Sequence, residues 1–231
     1  MKKIVSAAVV ALLSSTGVAQ ADSFANVTIG TTGIFFPTPT GAAYGEAGFA
    51  AGNVETASPT VTNTWLIKGA VTKDCSYYGG NTTSHTLDFG TIGVNTQANT
   101  TANDAFDMRA PATATVTTTT AGCNFNNSVT VTKSNGTSGL KNNAAGGYDS
   151  NEFQANIPYS ATVLFTGTTN QSAGAAGTTQ TVGVAANEAS KVWNGGAWRS
   201  DMTLNIAAPV PSKALVAGSY TDTLTVELKA L

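Results

Sequence analysis

Charge is scarce in this sequence. Asp, Glu, Lys and Arg together make up 10% of its 231 residues, against roughly a quarter in an ordinary soluble domain. With a formal net charge of −2, this mild acidity offers no general attraction to nucleic acid or anionic lipid, and no nucleic-acid partner is expected. Histidine is scarcer still. The single His85 sits in the polar stretch Thr83-Ser84-His85-Thr86 and reads as a solvated surface imidazole, because a general-base relay or a zinc site needs partners. Carboxylates such as Glu188, Asp201, Asp222 and Glu227 are scattered singly, so the paired acids of glycoside hydrolysis are not visible. There is no Gly-x-Ser-x-Gly elbow and no Gly-rich loop running into Lys-Ser or Lys-Thr. No catalytic residue, metal ligand or cofactor is assigned on these grounds, and the reading is non-enzymatic. Helical periodicity is also missing: no segment sustains apolar residues at i, i+3, i+4 and i+7 between caps.

What is present starts at the N-terminus. Lys2 and Lys3 precede an apolar stretch, Ile4 to Val18, and Val18-Ala19-Gln20-Ala21 closes it with small residues. That is the form of a secretory signal peptide over residues 1–21, cleaved after Ala21. Its loss moves the formal charge to −4. No later run is long and apolar enough to span a bilayer as a helix, and the short strands without an aromatic girdle argue against an outer-membrane barrel. In place of charge stand Thr, Asn, Ser, Gly and Ala, with about one residue in six a Thr, a β-branched type suited to a pleated sheet. Such a neutral, hydrogen-bonding surface suits close packing of like subunits.

Cys75 and Cys123 are the only cysteines. In an exported chain a lone pair is most simply a disulfide.

Period-two alternation recurs along the chain, with Gly- and Asn-rich turns between the runs. Ala25, Val27 and Ile29 form one such set; Trp65, Ile67 and Val71 lead into Cys75; Ala112, Ala114 and Val116 run through Thr117 to Thr120 toward Cys123. Val129 and Val131, then Tyr159, Ala161, Val163 and Phe165, then Met202, Leu204 and Ile206 follow. The last set is Tyr220, Leu224, Val226 and Leu228, interleaved with Thr221, Thr223, Thr225 and Glu227. Each run needs a face to bury, and sheet against sheet is the simplest way to do it, so the expectation is an all-β, immunoglobulin-like β-sandwich over residues 60–231. Residues 22–59 form an N-terminal extension. Trp193 and Trp198 flank Gly195-Gly196 as in an aromatic-bearing hairpin, and Gly167 to Gly177 reads as an exposed loop.

Three features carry a resemblance. A run ends in Thr72-Lys73-Asp74-Cys75; Leu87-Asp88-Phe89-Gly90-Thr91-Ile92-Gly93 lies between the cysteines; the chain closes on Gly218-Ser219-Tyr220-Thr221-Asp222-Thr223-Leu224-Thr225-Val226. From about Trp65 to Leu231 the sequence resembles the pilin subunits of chaperone–usher pili, in particular the archaic branch similar to spore coat protein U. The resemblance implies an incomplete immunoglobulin-like fold whose missing strand is supplied first by a periplasmic chaperone and then by a neighbouring subunit, with an outer-membrane usher as a further partner. It implies export through the periplasm to a surface fimbrium that supports adhesion or biofilm formation. By position, Tyr220, Leu224, Val226 and Leu228 edge the open groove. The donor strand is expected within Ser23 to Ile34, carried by Phe24, Ala25, Val27 and Ile29. The long residue 22–59 extension departs from the family pattern, and it leaves a self-contained secreted coat or matrix protein, or a tip adhesin for glycans or surfaces, as the alternatives.

Overall fold

A computed structural model describes the backbone of residues 25–30 and 42–47, and residues 59–60, 62, 64, 66–67, 69–78, 83–96 and 104–231. Residues 1–21, where a signal peptide is expected, together with Phe24 and Trp65 lie outside them. The chain divides into two compact units between Lys68 and Gly69.

In the first unit, β1 (Ala25–Gly30) and β2 (Ala42–Ala47) form an antiparallel two-stranded ribbon. The register runs from Ala25 opposite Ala47 to Gly30 opposite Ala42.

The second unit is nearly all β, with one 3-10 turn at Gly136–Ser138. In chain order its strands are β3 (Cys75–Tyr77), β4 (Ala112–Cys123), β5 (Asn127–Lys133), β6 (Leu140–Lys141), β7 (Phe153–Gln154), β8 (Asn156–Ile157), β9 (Ser160–Gly167), β10 (Thr178–Val184), β11 (Ser190–Gly195), β12 (Trp198–Ala208), β13 (Ala214–Leu215) and β14 (Leu224–Ala230). A five-stranded sheet has the order β10-β9-β12-β4-β3, and a three-stranded sheet the order β11-β5-β14. Both are antiparallel throughout. Two short pairs, β6–β8 and the parallel β13–β7, complete the set.

The two larger sheets share one core. Val129 and Val131 of β5 and Ala161, Val163 and Phe165 of β9 meet there with Val182 and Val184 of β10 and Met202, Leu204 and Ile206 of β12. These are the alternating apolar positions, and the interleaved Thr and Asn turn outward, as a period of two requires. The Thr run of β4 contains an adjustment. Ser200 pairs with Ala121 but Met202 pairs with Thr118, so Thr119 and Thr120 together face one residue of β12. This bulge switches the parity of β4. Ala112, Ala114 and Val116 point inward before it, and Ala121 and Cys123 point inward after it.

Two sequence expectations change. Leu66, Ile67 and Val71 are exposed and the residues before Cys75 form no strand among those described. Trp193 and Trp198 do not sit on a hairpin, because β11 pairs with β5 and β12 with β4 and β9, in different sheets. The Gly195-Gly196 link is a crossing between layers. Both indoles pack on Phe165, at ring-centroid distances of 4.9 Å for Trp193 and 4.2 Å for Trp198. Gly195 is required there: a Cβ on it runs into the Trp193 ring and the Thr168 carbonyl.

Candidate strand-accepting groove

The last strand sits at an edge. Among the described residues β14 pairs with β5 alone, with Leu224 opposite Lys133, Val226 opposite Val131 and Leu228 opposite Val129. Its other row of backbone N–H and C=O groups has no ladder partner there. An unpaired edge beside apolar side chains is a template for a further strand.

Burial falls off toward this edge. Val129 and Val131 on β5 are fully buried, whereas Leu224, Val226 and Leu228 are only half-buried. The facing sheet shows the same gradient: Ala161 and Val163 of β9 are fully buried, and Ala112, Ala114 and Val116 of β4 are half-buried. The opposite flank is sealed, with Val182 and Val184 of the edge strand β10 each 1% exposed. The open flank is a groove of about 2140 Å³. Leu224, Val226 and Leu228 form one wall, and Val116, Leu204 and Ile206 face them. Phe89 and Ile92, from an unpaired segment over residues 83–92, form the lip.

That segment does not extend into a strand, despite the alternation of Leu87 and Phe89. The Asp88 carboxylate accepts the Gly90 N–H at 2.7 Å, and Gly90 adopts φ +65°. An Asx turn and a left-handed residue together break the extension.

Both ends of the groove are tied. At one end, Cys75 and Cys123 stand directly opposite in the β3–β4 ladder and are joined by a disulfide, with Cα atoms 4.1 Å apart. Nearby, the Lys73 ammonium donates to the Leu231 carbonyl at 3.0 Å and lies 3.9 Å over the Phe125 ring. At the other end, Tyr220 is half-buried and its hydroxyl donates to the Val216 carbonyl at 2.6 Å. Asp222 accepts from the Tyr159 hydroxyl at 2.8 Å, from the Asn135 N–H at 2.9 Å and from the Thr223 N–H at 2.8 Å. Burial pushes the Tyr159 phenol far above the ordinary tyrosine range, and the hydrogen bond to Asp222 and its charge push the same way. Thus the segment leading into β14 is anchored before its apolar row begins.

Beside this network stands Lys133, the most deeply buried charge among the described residues, at 2% exposure. Its ammonium donates to the carbonyls of Tyr159 and Ala185, each at 3.0 Å, and of Ala186 at 3.2 Å. Burial lowers its pKa, and the charges of Asp222 and Glu188 offset part of that. Sequence reading did not single out Lys133, although it shares the inward parity of Val129 and Val131. His85 is exposed and meets the Tyr78 ring edge-on at 4.6 Å, and no group of three metal-ligating side chains occurs among the described residues.

Of the sequence-derived site residues, Tyr220, Leu224, Val226 and Leu228 line the groove together. Ala25, Val27 and Ile29 lie in β1, paired with β2. Comparison with known proteins gives no match to a family model, to a curated protein or to a solved structure.

Proposed function

We propose that this chain is a structural subunit of a surface pilus or fimbria, an incomplete immunoglobulin-like β-sandwich completed by strand addition from a neighbouring copy. The observation that carries this reading is the open flank: the free edge of β14 beside the half-buried row Leu224, Val226 and Leu228. A row of unpaired main-chain groups over apolar pockets two residues apart is what an added strand satisfies. Left bare, the same edge invites uncontrolled association, so a periplasmic chaperone and an outer-membrane usher are the partners this route requires. The neutral Thr-rich faces suit side-by-side packing along a fibre, and adhesion or biofilm support is the role such a fibre serves.

The test is the state of the protein sheared from the surface of cells that make it. Fibre subunits locked by strand addition run as a ladder of multiples on a gel without boiling and collapse to one band after it. A single monomer band without boiling refutes the proposal. Deleting residues 22–34 separates the alternatives. A donor acting between subunits leaves a chaperone-bound subunit that cannot extend. A segment that completes its own domain leaves an unstable, degraded chain, and the intact protein then purifies as a monomer.

A further inference from the structure

The two main sheets of the second unit are unequal, five strands facing three. On one flank Val182 and Val184 of β10 are buried; on the other, β14 approaches β3 and β4 but its outer ladder edge has no partner among the described residues. The first unit carries a ribbon of two strands, six residues each, in full antiparallel register, against the seven residues of β14.

We propose that the occupant of the groove is the whole β1–β2 hairpin of a second copy of this chain, with β1 against β14 and β2 outside it. The three-stranded sheet then becomes β11-β5-β14-β1-β2. This rests on the strand-addition reading above and specifies its donor.

Ladder accounting favours the hairpin. A lone β1 must be stripped from β2 before it can pair with β14, so six ladder pairs are given up for a ladder of similar length. Entering as a hairpin, β1 keeps its partner on one edge and gains β14 on the other. Buried backbone groups left unpaired cost about as much as a lost hydrogen bond each, so the retained ladder matters. The faces suit the site. Ala25, Val27 and Ile29 stand opposite Ala47, Gly45 and Ala43 and share one face of the ribbon; Asn26, Thr28, Tyr44 and Glu46 share the other. The order within the hairpin follows as well. β1 carries the β-branched Val27 and Ile29 two residues apart in its register, the spacing of pockets along a strand. β2 carries Glu46, and a charge on an outer strand discourages further lateral addition.

The deciding experiment locks the hairpin in the full-length chain with Asn26→Cys and Glu46→Cys, which are ladder partners. Surface fibres are read as the unboiled ladder, with disulfide mapping to confirm that Cys75 and Cys123 remain paired. Hairpin donation predicts ladders from the oxidised double variant equal to those of the wild type. If the oxidised variant yields none while its reduced form assembles, the hairpin must open, and this inference is overturned while strand addition stands. If the wild type itself gives no ladder, the strand-addition reading fails and takes this inference with it. Replacing residues 42–47 by a Gly-Ser stretch of equal length is the second arm. A tenfold or greater loss of ladders supports the hairpin, and unchanged ladders overturn it. Should the reduced double variant fail to assemble, this second arm decides.

Discussion

Val131 and Val226 are direct ladder partners, both on the inward side of their sheet. They differ in what covers them. Val131 is fully buried at the centre of the core, while Val226 is half-buried beside the groove. Truncating each to Ala removes the same two methyl groups, so the comparison isolates lateral cover. At about 0.8 kcal/mol per buried CH₂ the transfer loss at Val131 is about 1.6 kcal/mol, and a sealed cavity adds to it, for roughly 2–3 kcal/mol in all. At Val226 part of the side chain already meets water, and water fills the space left behind, so about 1 kcal/mol is expected. The assay is urea unfolding of the oxidised chain, followed by fluorescence of the buried Trp198, with unchanged slope as the sign that only stability has moved. Equal losses at the two positions refute the open flank. In fibres of the proposed kind the order should change: with the groove filled, Val226→Ala should cost as much as Val131→Ala, read as a lower temperature at which the ladder collapses.

Further outcomes follow from the same geometry. Cys123→Ser opens a loop of 48 residues, and the chain-entropy relation gives a loss of about 4 kcal/mol, measurable as a drop in urea midpoint and in periplasmic yield. Val226→Asp puts an unpaired carboxylate into the groove and should abolish ladders, whereas Thr225→Asp, on the exposed face, should leave them; equal damage from both overturns the inward and outward assignment of β14. Tyr159 keeps its proton in the fold at a pH where the unfolded phenol, near 10, has lost it. The stability it contributes is present below about pH 10 and lost as pH rises beyond that. Tyr159→Phe should therefore unfold with a shallower alkaline pH dependence than the wild type; identical slopes between pH 9 and 11 contradict this.

How much of this was legible depends on which interactions decide each feature. The inward row of β14 could be read from alternation alone, because Leu224, Val226 and Leu228 differ so sharply from the threonines between them. The pairing of Cys75 with Cys123 followed from their number and from the expected export. The Thr117–Thr120 run did read as strand, but its bulge did not show, since four identical residues carry no parity. Leu87 to Ile92 alternates as a strand does, yet Asp88 and Gly90 turn the backbone, and no described strand offers the segment a ladder. The Gly195-Gly196 link has the local chemistry of a hairpin turn, and only the pairing of its flanking strands with β5 and β4 sends it between layers. Lys133 was passed over because a charge on an inward parity is read as an error in the pattern. Three carbonyls converging from Tyr159, Ala185 and Ala186 make it an anchor instead, and nothing in the local sequence announces their convergence.

The disulfide has a mechanical meaning as well as a thermodynamic one. In the proposed fibre, tension would pull on each subunit through the chain, and the Cys75–Cys123 bond would carry that pull straight from β3 to the end of β4. The residues between, which include the lip of the groove, are taken out of the load path. Roughly 160 Å of contour length, from 48 residues at about 3.4 Å each, would stay out of reach of such a pull while the bond is intact. A reducing agent releases that reserve, so single fibres pulled in its presence should gain extension in steps of that size.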